Sequence, residues 1–135
     1  MTWSPRADHK TKAPMSEPLP FDPANCPIRN VLDRLGDQWS LLVLEALDQR
    51  IWRFNELSRE IGDISRQMLA KTLRRLEEDG LVTRTIHPEV PPRVEYALTD
   101  LGRSMMGPIR ALTEWADSNH GAVQAARRDF AAREG

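Results

Sequence analysis

The chain has 135 residues, enough for one ordinary domain and too few for two. Its 19 basic and 20 acidic residues leave a net charge of −1, so no whole-chain field draws a polyanion, and its single cysteine excludes an intramolecular disulfide or a multi-thiolate zinc site. No run approaches the ~18 apolar residues of a membrane span, the histidines at 9, 87 and 120 are too scattered for a metal centre, and the composition reads as soluble and cytoplasmic.

Residues 1–25 carry five prolines, balanced charges and few aliphatic side chains, with no apolar core of a signal peptide. Such a stretch cannot bury enough apolar surface to offset its ordering entropy, so a disordered leader is expected there. The folded part is expected over 26–120, with a helical extension over 121–135. Pro27 suits the first position of a helix that ends at Leu35 before Gly36, with Ile28, Val31, Leu32 and Leu35 on one face. Asp37 can cap a second helix over 39–47 that is apolar nearly all round, the pattern of a buried central helix. Phe54, Leu57 and Ile61 mark a third, short helix.

Gly62-Asp63-Ile64 reads as a tight turn and Ser65 as a helix N-cap, with Ile64 and Leu69 placed to form a hydrophobic staple. Leu69, Leu73 and Leu76 make the inward stripe of that helix, and Gly80 stops it. Two short helices joined by a turn containing glycine form a helix-turn-helix pattern. Residues 81–86 and 93–98 read as strands, the second alternating Val94, Tyr96 and Leu98 with Arg93, Glu95 and Ala97. The loop between them, 87–92, is stiffened by three prolines. Thr99 can cap a long helix with Leu101, Met105, Ile109, Leu112 and Ala116 on one stripe, bent at Pro108 and ended by His120 and Gly121, with a weaker helical piece over 122–132. The sum is a mainly α chain with a small β-hairpin, a winged helix-turn-helix. The long C-terminal helix has no core left to cover its stripe and suggests a dimer.

Charge is uneven along helix 65–79. Gln67, Lys71 and Arg74 fall opposite the leucine stripe, with Arg66 and Arg75 flanking, and no acid appears until Glu77, Glu78 and Asp79 at the far end. A helix that enters a DNA groove needs donors on its leading turns and free N–H groups at its N-terminus. An ordinary solvated helix face would also explain those charges. Arg93, behind Pro91-Pro92, is either a reader of the minor groove or a strand-edge arginine. Trp39, Phe54 and Trp115 read as core rather than as an effector pocket. Glu77, Glu78 and Asp79 are consecutive on a helix, point in different directions and cannot flank one substrate. No phosphate loop, nucleophile elbow or metal motif is present, so neither an enzyme nor a cofactor is expected.

Several stretches closely resemble the HxlR-type bacterial transcriptional regulators: Cys26-Pro27-Ile28, Gly36-Asp37-Gln38-Trp39, Arg53-Phe54-Asn55-Glu56-Leu57, Ile64 to Leu69, Leu73 to Leu81, and the wing segment Val90 to Gly102. The resemblance runs in order over roughly 26–120. It implies a winged-helix homodimer on a palindromic or repeated operator in double-stranded DNA. It implies major-groove contacts from Ser65, Arg66, Gln67, Lys71 and Arg75, a wing contact from Arg93, and a phosphate held by Arg53. This chain departs from the family in Gln38, where lysine is common, and in Arg50-Ile51-Trp52, where Gly-Pro is common; these departures put one phosphate contact and the loop's shape in doubt. Cys26 stands at the position of the family's N-terminal cysteine, which in some members senses oxidants or electrophiles. Its place ahead of a helix N-terminus, near Arg29, favours a thiolate, whereas a small buried hydrophobe is the plainer reading of a lone cysteine. The rival from another class is a winged-helix protein-interaction module without DNA binding, which would have no use for an acid-free basic face.

Overall fold

The computed structural model describes residues 18–20 and 22–135; of the leader expected at 1–25, residues 1–17 and 21 lie outside the described residues. The chain forms two compact units, one ending at Gly36 and the other Asp37–Gly135. In the first, a 3-10 turn at Pro23–Asn25 occupies what the sequence suggests is leader, with Asp22 accepting the Ala24 N–H at 3.0 Å. Helix α1, Pro27–Leu35, follows with Cys26 at its N-cap, and Arg29 donates back to the Pro23 carbonyl at 3.0 Å. Cys26 and Leu35 are buried, while Ile28, Val31 and Leu32 remain exposed.

The second unit begins with a cap. Asp37 Oδ1 accepts the N–H groups of Trp39 (2.7 Å) and Ser40 (2.8 Å), and Oδ2 accepts the Ser40 hydroxyl (2.6 Å). Those bonds hold 37–39 as a turn, so helix α2 is Ser40–Gln49 and Trp39 precedes it. Val43, Leu44, Ala46 and Leu47 are buried, as a central helix requires. Trp52–Arg53 then forms a two-residue strand, β1, too short to announce itself by alternation. It is followed by helix α3, Phe54–Ile61, and helix α4, Arg66–Glu78.

Helix α4 is closed by local chemistry at both ends. Ser65 Oγ accepts the Met68 N–H at 3.0 Å. At the other end Gly80, at φ 77°, lets Gly80 N–H reach the Glu77 carbonyl and Leu81 N–H reach the Leu76 carbonyl, each at 3.0 Å. Leu69, Leu73 and Leu76 are fully buried and Ile64 nearly so. Strands β2, Val82–His87, and β3, Arg93–Leu98, pair antiparallel from Val82↔Leu98 to His87↔Arg93. Because β1 also pairs with β3, through Trp52↔Tyr96 and Arg53↔Glu95, the sheet has three strands in the order β1-β3-β2 instead of the two expected. Arg93 to Ala97 are all half-buried, so the expected in-out alternation does not appear in their exposure.

Thr99 caps helix α5, Asp100–Ser104, by accepting the Gly102 N–H at 2.9 Å, and its hydroxyl donates to the Gly80 carbonyl at 2.7 Å. Gly102 presses against that junction: a Cβ there would lie 2.2 Å from the Leu81 carbonyl oxygen. The helix breaks at Met105, and α6 runs Met106–Glu134 with Pro108 in its first turn. Proline has no N–H for the carbonyl four residues back and its ring collides with it, so the interruption falls ahead of Pro108 rather than as a bend at it. Nor do His120 and Gly121 end the helix; α6 passes through both without a break. Met106 and Ile109 are buried and Arg110 pairs with Asp48 of α2, whereas Leu112 and Trp115 are exposed, so Trp115 is not core. Among the described residues no helix is long and apolar enough to cross a membrane.

Candidate nucleic-acid interface

The exposed face of α4 is built as the charge pattern suggests. Gln67, Lys71 and Arg74 are exposed and share an open cleft of about 590 Å³ with Ala70 and Glu77 of the same helix and with Arg84 and Tyr96 of the sheet. Ser65 spends its hydroxyl on the helix cap. Arg66 donates to Asn55 Oδ1 at 2.8 Å, and its guanidinium lies 4.9 Å from the centre of the Phe54 ring, which ties the start of α4 to the start of α3. Arg75 does not join Gln67, Lys71 and Arg74. It is half-buried, and its charge acts on Asp37.

A second open cleft, of about 720 Å³, lies between the start of α3 and the wing. Five arginines line it (53, 59, 66, 84 and 93) against Glu56 and Glu89. Arg53 is exposed and lines the cleft, and its backbone N–H donates to Glu56 Oε1 at 3.0 Å. That backbone hydrogen bond, with burial opposing it and Arg50 helping, holds the Glu56 carboxyl below its usual range. Arg93 is less available than a wing-tip arginine would be. Its side chain is 28% exposed, with Nη2 on Glu89 at 2.7 Å, Nη1 on Glu95 at 3.3 Å, and a buried Nε that has no partner. Glu95 also meets His87 Nε2 at 2.8 Å, so one carboxylate links the two residues that close the hairpin.

Arg59, Arg84 and Tyr96 belong to this surface although no motif singles them out. A signal for Arg84 is present in the strand period: Val82 and Leu98 face the core, so Arg84 and Tyr96 continue the same face beyond it. Trp52, which has no sequence-level explanation, is 5% exposed; its indole N–H donates to the Ala46 carbonyl at 2.7 Å, and the Arg50 guanidinium lies over its ring at 3.6 Å. Cys26 lies in the first unit and is not among the residues that line either cleft. Among the described residues no cluster of three or more His, Cys, Asp or Glu could hold a metal ion.

A helix-turn-helix whose second helix presents a cationic face, followed by a short antiparallel sheet with a projecting loop and a long C-terminal helix, defines a winged helix-turn-helix protein. The chain belongs to the HxlR-like helix-turn-helix family, whose model matches residues 34–124. It is 43% identical over 107 residues to the HTH-type transcriptional regulator YtfH of Escherichia coli (strain K12), covering 79% of this chain and 85% of that one. It is 44% identical over 90 residues to an HTH-type transcriptional regulator of Methanothermobacter thermautotrophicus, covering 67% and 69%. Among solved structures, the redox regulator HypR in its reduced form matches with a TM-score of 0.69 at 35% identity, over 73% of this chain and 98% of that one. The regulator ytfH from Salmonella typhimurium matches with a TM-score of 0.68 at 41% identity, over 78% and 94%. The family is one of transcriptional regulators.

Proposed function

We propose that the chain is a sequence-specific DNA-binding regulator that reads its operator as a homodimer, with α4 in the major groove and the 87–93 wing over the neighbouring minor groove. The observation that carries this reading is the continuity of cation-lined surface from the exposed Gln67, Lys71 and Arg74 to the cleft of five arginines beneath the wing. Ser65, Arg66, Gln67, Lys71 and Arg74 take the base edges and phosphates of the major groove, Arg53 a backbone phosphate and Arg93 the minor groove. Arg75, half-buried near Asp37, contributes by positioning α4. An interaction module without DNA binding has no need of such a surface.

Dimerisation is supported by apolar side chains that one chain leaves uncovered: Leu112 and Trp115 on α6 and, in the first unit, Ile28, Val31 and Leu32 on α1. A two-fold dimer calls for a palindromic operator with half-sites one helical turn, or a multiple, apart. In this division of labour 26–120 reads DNA and 121–135, the continuation of α6, lengthens the dimer contact.

A redox or electrophile response through Cys26 is the second reading, favoured by its place at the N-cap of α1 and by the likeness to a redox regulator. With one cysteine per chain, any disulfide is intermolecular. At 5% exposure the sulfur must first be uncovered, so packing alone competes with sensing.

Fluorescence anisotropy of the reduced protein tests both. The duplex upstream of its own gene, taken in overlapping pieces, is compared with a scrambled duplex of equal length at one fixed salt. A strong preference for one piece is the expected result, and equal binding to all of them sinks sequence-specific reading at that locus. Repeating the titration after alkylation of the thiol should weaken the preferred complex if Cys26 signals; an unchanged affinity makes it a packing residue.

A further inference from the structure

Arg84 and Tyr96 are the two residues that line both clefts. They are cross-strand partners on β2 and β3, on the sheet face that carries Val82 and Leu98 into the core. Beyond the core that face looks along α4, and Arg84 Nε stands 3.6 Å from Glu77 Oε1. Any duplex laid across the exposed side of α4 and onto the wing has to pass over this ridge. Glu77 is also the one acid among the residues that line the α4 cleft, which otherwise holds Lys71, Arg74 and Arg84.

We propose that Arg84 and Tyr96 form a further DNA-contacting station between α4 and the wing, and that Glu77 holds the Arg84 guanidinium until a backbone phosphate displaces it. This inference rests on the reading that the cationic face binds DNA. The exchange is favourable in kind. An ion pair whose side chains are 45% and 39% exposed is screened by water and stabilises the free protein little. A backbone phosphate accepts two parallel N–H bonds from one guanidinium as a carboxylate does, and the exchange gains from the dense row of phosphates, whose condensed counterions are released when a cation takes their place. The Tyr96 hydroxyl, protonated at neutral pH as tyrosine ordinarily is, can donate to that phosphate; burial and the Glu77 charge raise its pKa further, against Arg84. Glu77 then costs binding twice, as the partner given up and as a like charge left near the duplex.

The contact is to backbone, so a mixed-sequence duplex at low salt is a sufficient probe and the operator need not be known. Arg84→Ala is expected to weaken binding roughly tenfold and to make the slope of log K against log salt shallower by about one, with Arg84→Lys keeping the slope. Glu77→Gln is expected to tighten binding about threefold in the wild type and by less than half as much in an Arg84→Ala background. Tyr96→Phe should lose a few-fold with no change of slope. An unchanged thermal melt of each variant shows that the fold is retained. If wild type binds and Arg84→Ala matches it in affinity and slope, the station is overturned while the DNA-binding reading stands. An equal gain from Glu77→Gln in both backgrounds overturns the place-holder role. Wild type that binds no duplex overturns both readings together.

Discussion

Asp37 commits both carboxylate oxygens to the start of α2, and the protonation of that one group reads out at acid pH. Burial disfavours its charge, but the Ser40 hydroxyl, the N–H groups of Trp39 and Ser40 and the nearby Arg75 outweigh burial and hold the carboxyl below its usual 3.8. A depressed carboxyl pKa contributes stability that is in full force above the unfolded value and fades as pH falls through the folded one. The melting temperature of wild type should therefore drop more steeply below about pH 4 than that of Asp37→Asn, and parallel curves would deny the cap this role. Arg93→Ala should weaken specific DNA binding by about 1–3 kcal/mol, as measured by anisotropy at fixed salt, and an unchanged affinity would take the wing out of the interface. Much at this scale is legible in the chain. Ser65, Gly80 and Thr99 cap or end helices through bonds to neighbours a few residues away, so residue type and spacing suffice for those roles. Trp52 and Arg75 are not legible: the first is explained by the Ala46 carbonyl on α2, the second by where Asp37 sits.

Helices could be read because their stripes recur at three and four residues, and α4 was marked at both ends by its caps. The missed element, β1, is two residues long, and only its pairing with β3 makes it a strand. The break between α5 and α6 was misplaced for a related reason. A proline's effect falls on the carbonyl four residues earlier, so the chain bends before the residue that compels it. Gly102 is the most constrained position in this segment, since α5 docks its backbone on the Leu81 carbonyl. Gly102→Ala should cost about 1–3 kcal/mol in urea unfolding, because backbone on both sides has to shift to admit one methyl group. A variant as stable as wild type would mean that α5 separates easily from the end of α4.

For the molecule as a whole, a net charge of −1 is compatible with a cationic face because recognition depends on local charge, and the two clefts together hold seven cations against three acids. Trp115 shows what apolar spacing does not reveal: it marks a face to be covered and leaves open whether the same chain covers it. Leu112 and Trp115 are 61% and 58% exposed, and the proposed dimer would cover them with a second copy. Trp115→Glu should give monomers in sedimentation velocity at micromolar concentration, with a loss of operator affinity of about 10²-fold or more as two linked half-sites become independent. A variant that remains dimeric would place the contact elsewhere. Helix α6, at 29 residues, measures roughly 43 Å from end to end. Its first turns are held in the core of the second unit through Met106 and Ile109, and Arg110 pairs with Asp48. A rod of that length works as a lever arm. Tilting it by about 5° at the anchored end carries the far end nearly 4 Å, close to the ~3.4 Å step between stacked bases. In the proposed dimer, a rotation of a few degrees at the start of α6 would therefore be enough to bring two reading heads into, or out of, phase with the helical repeat of DNA.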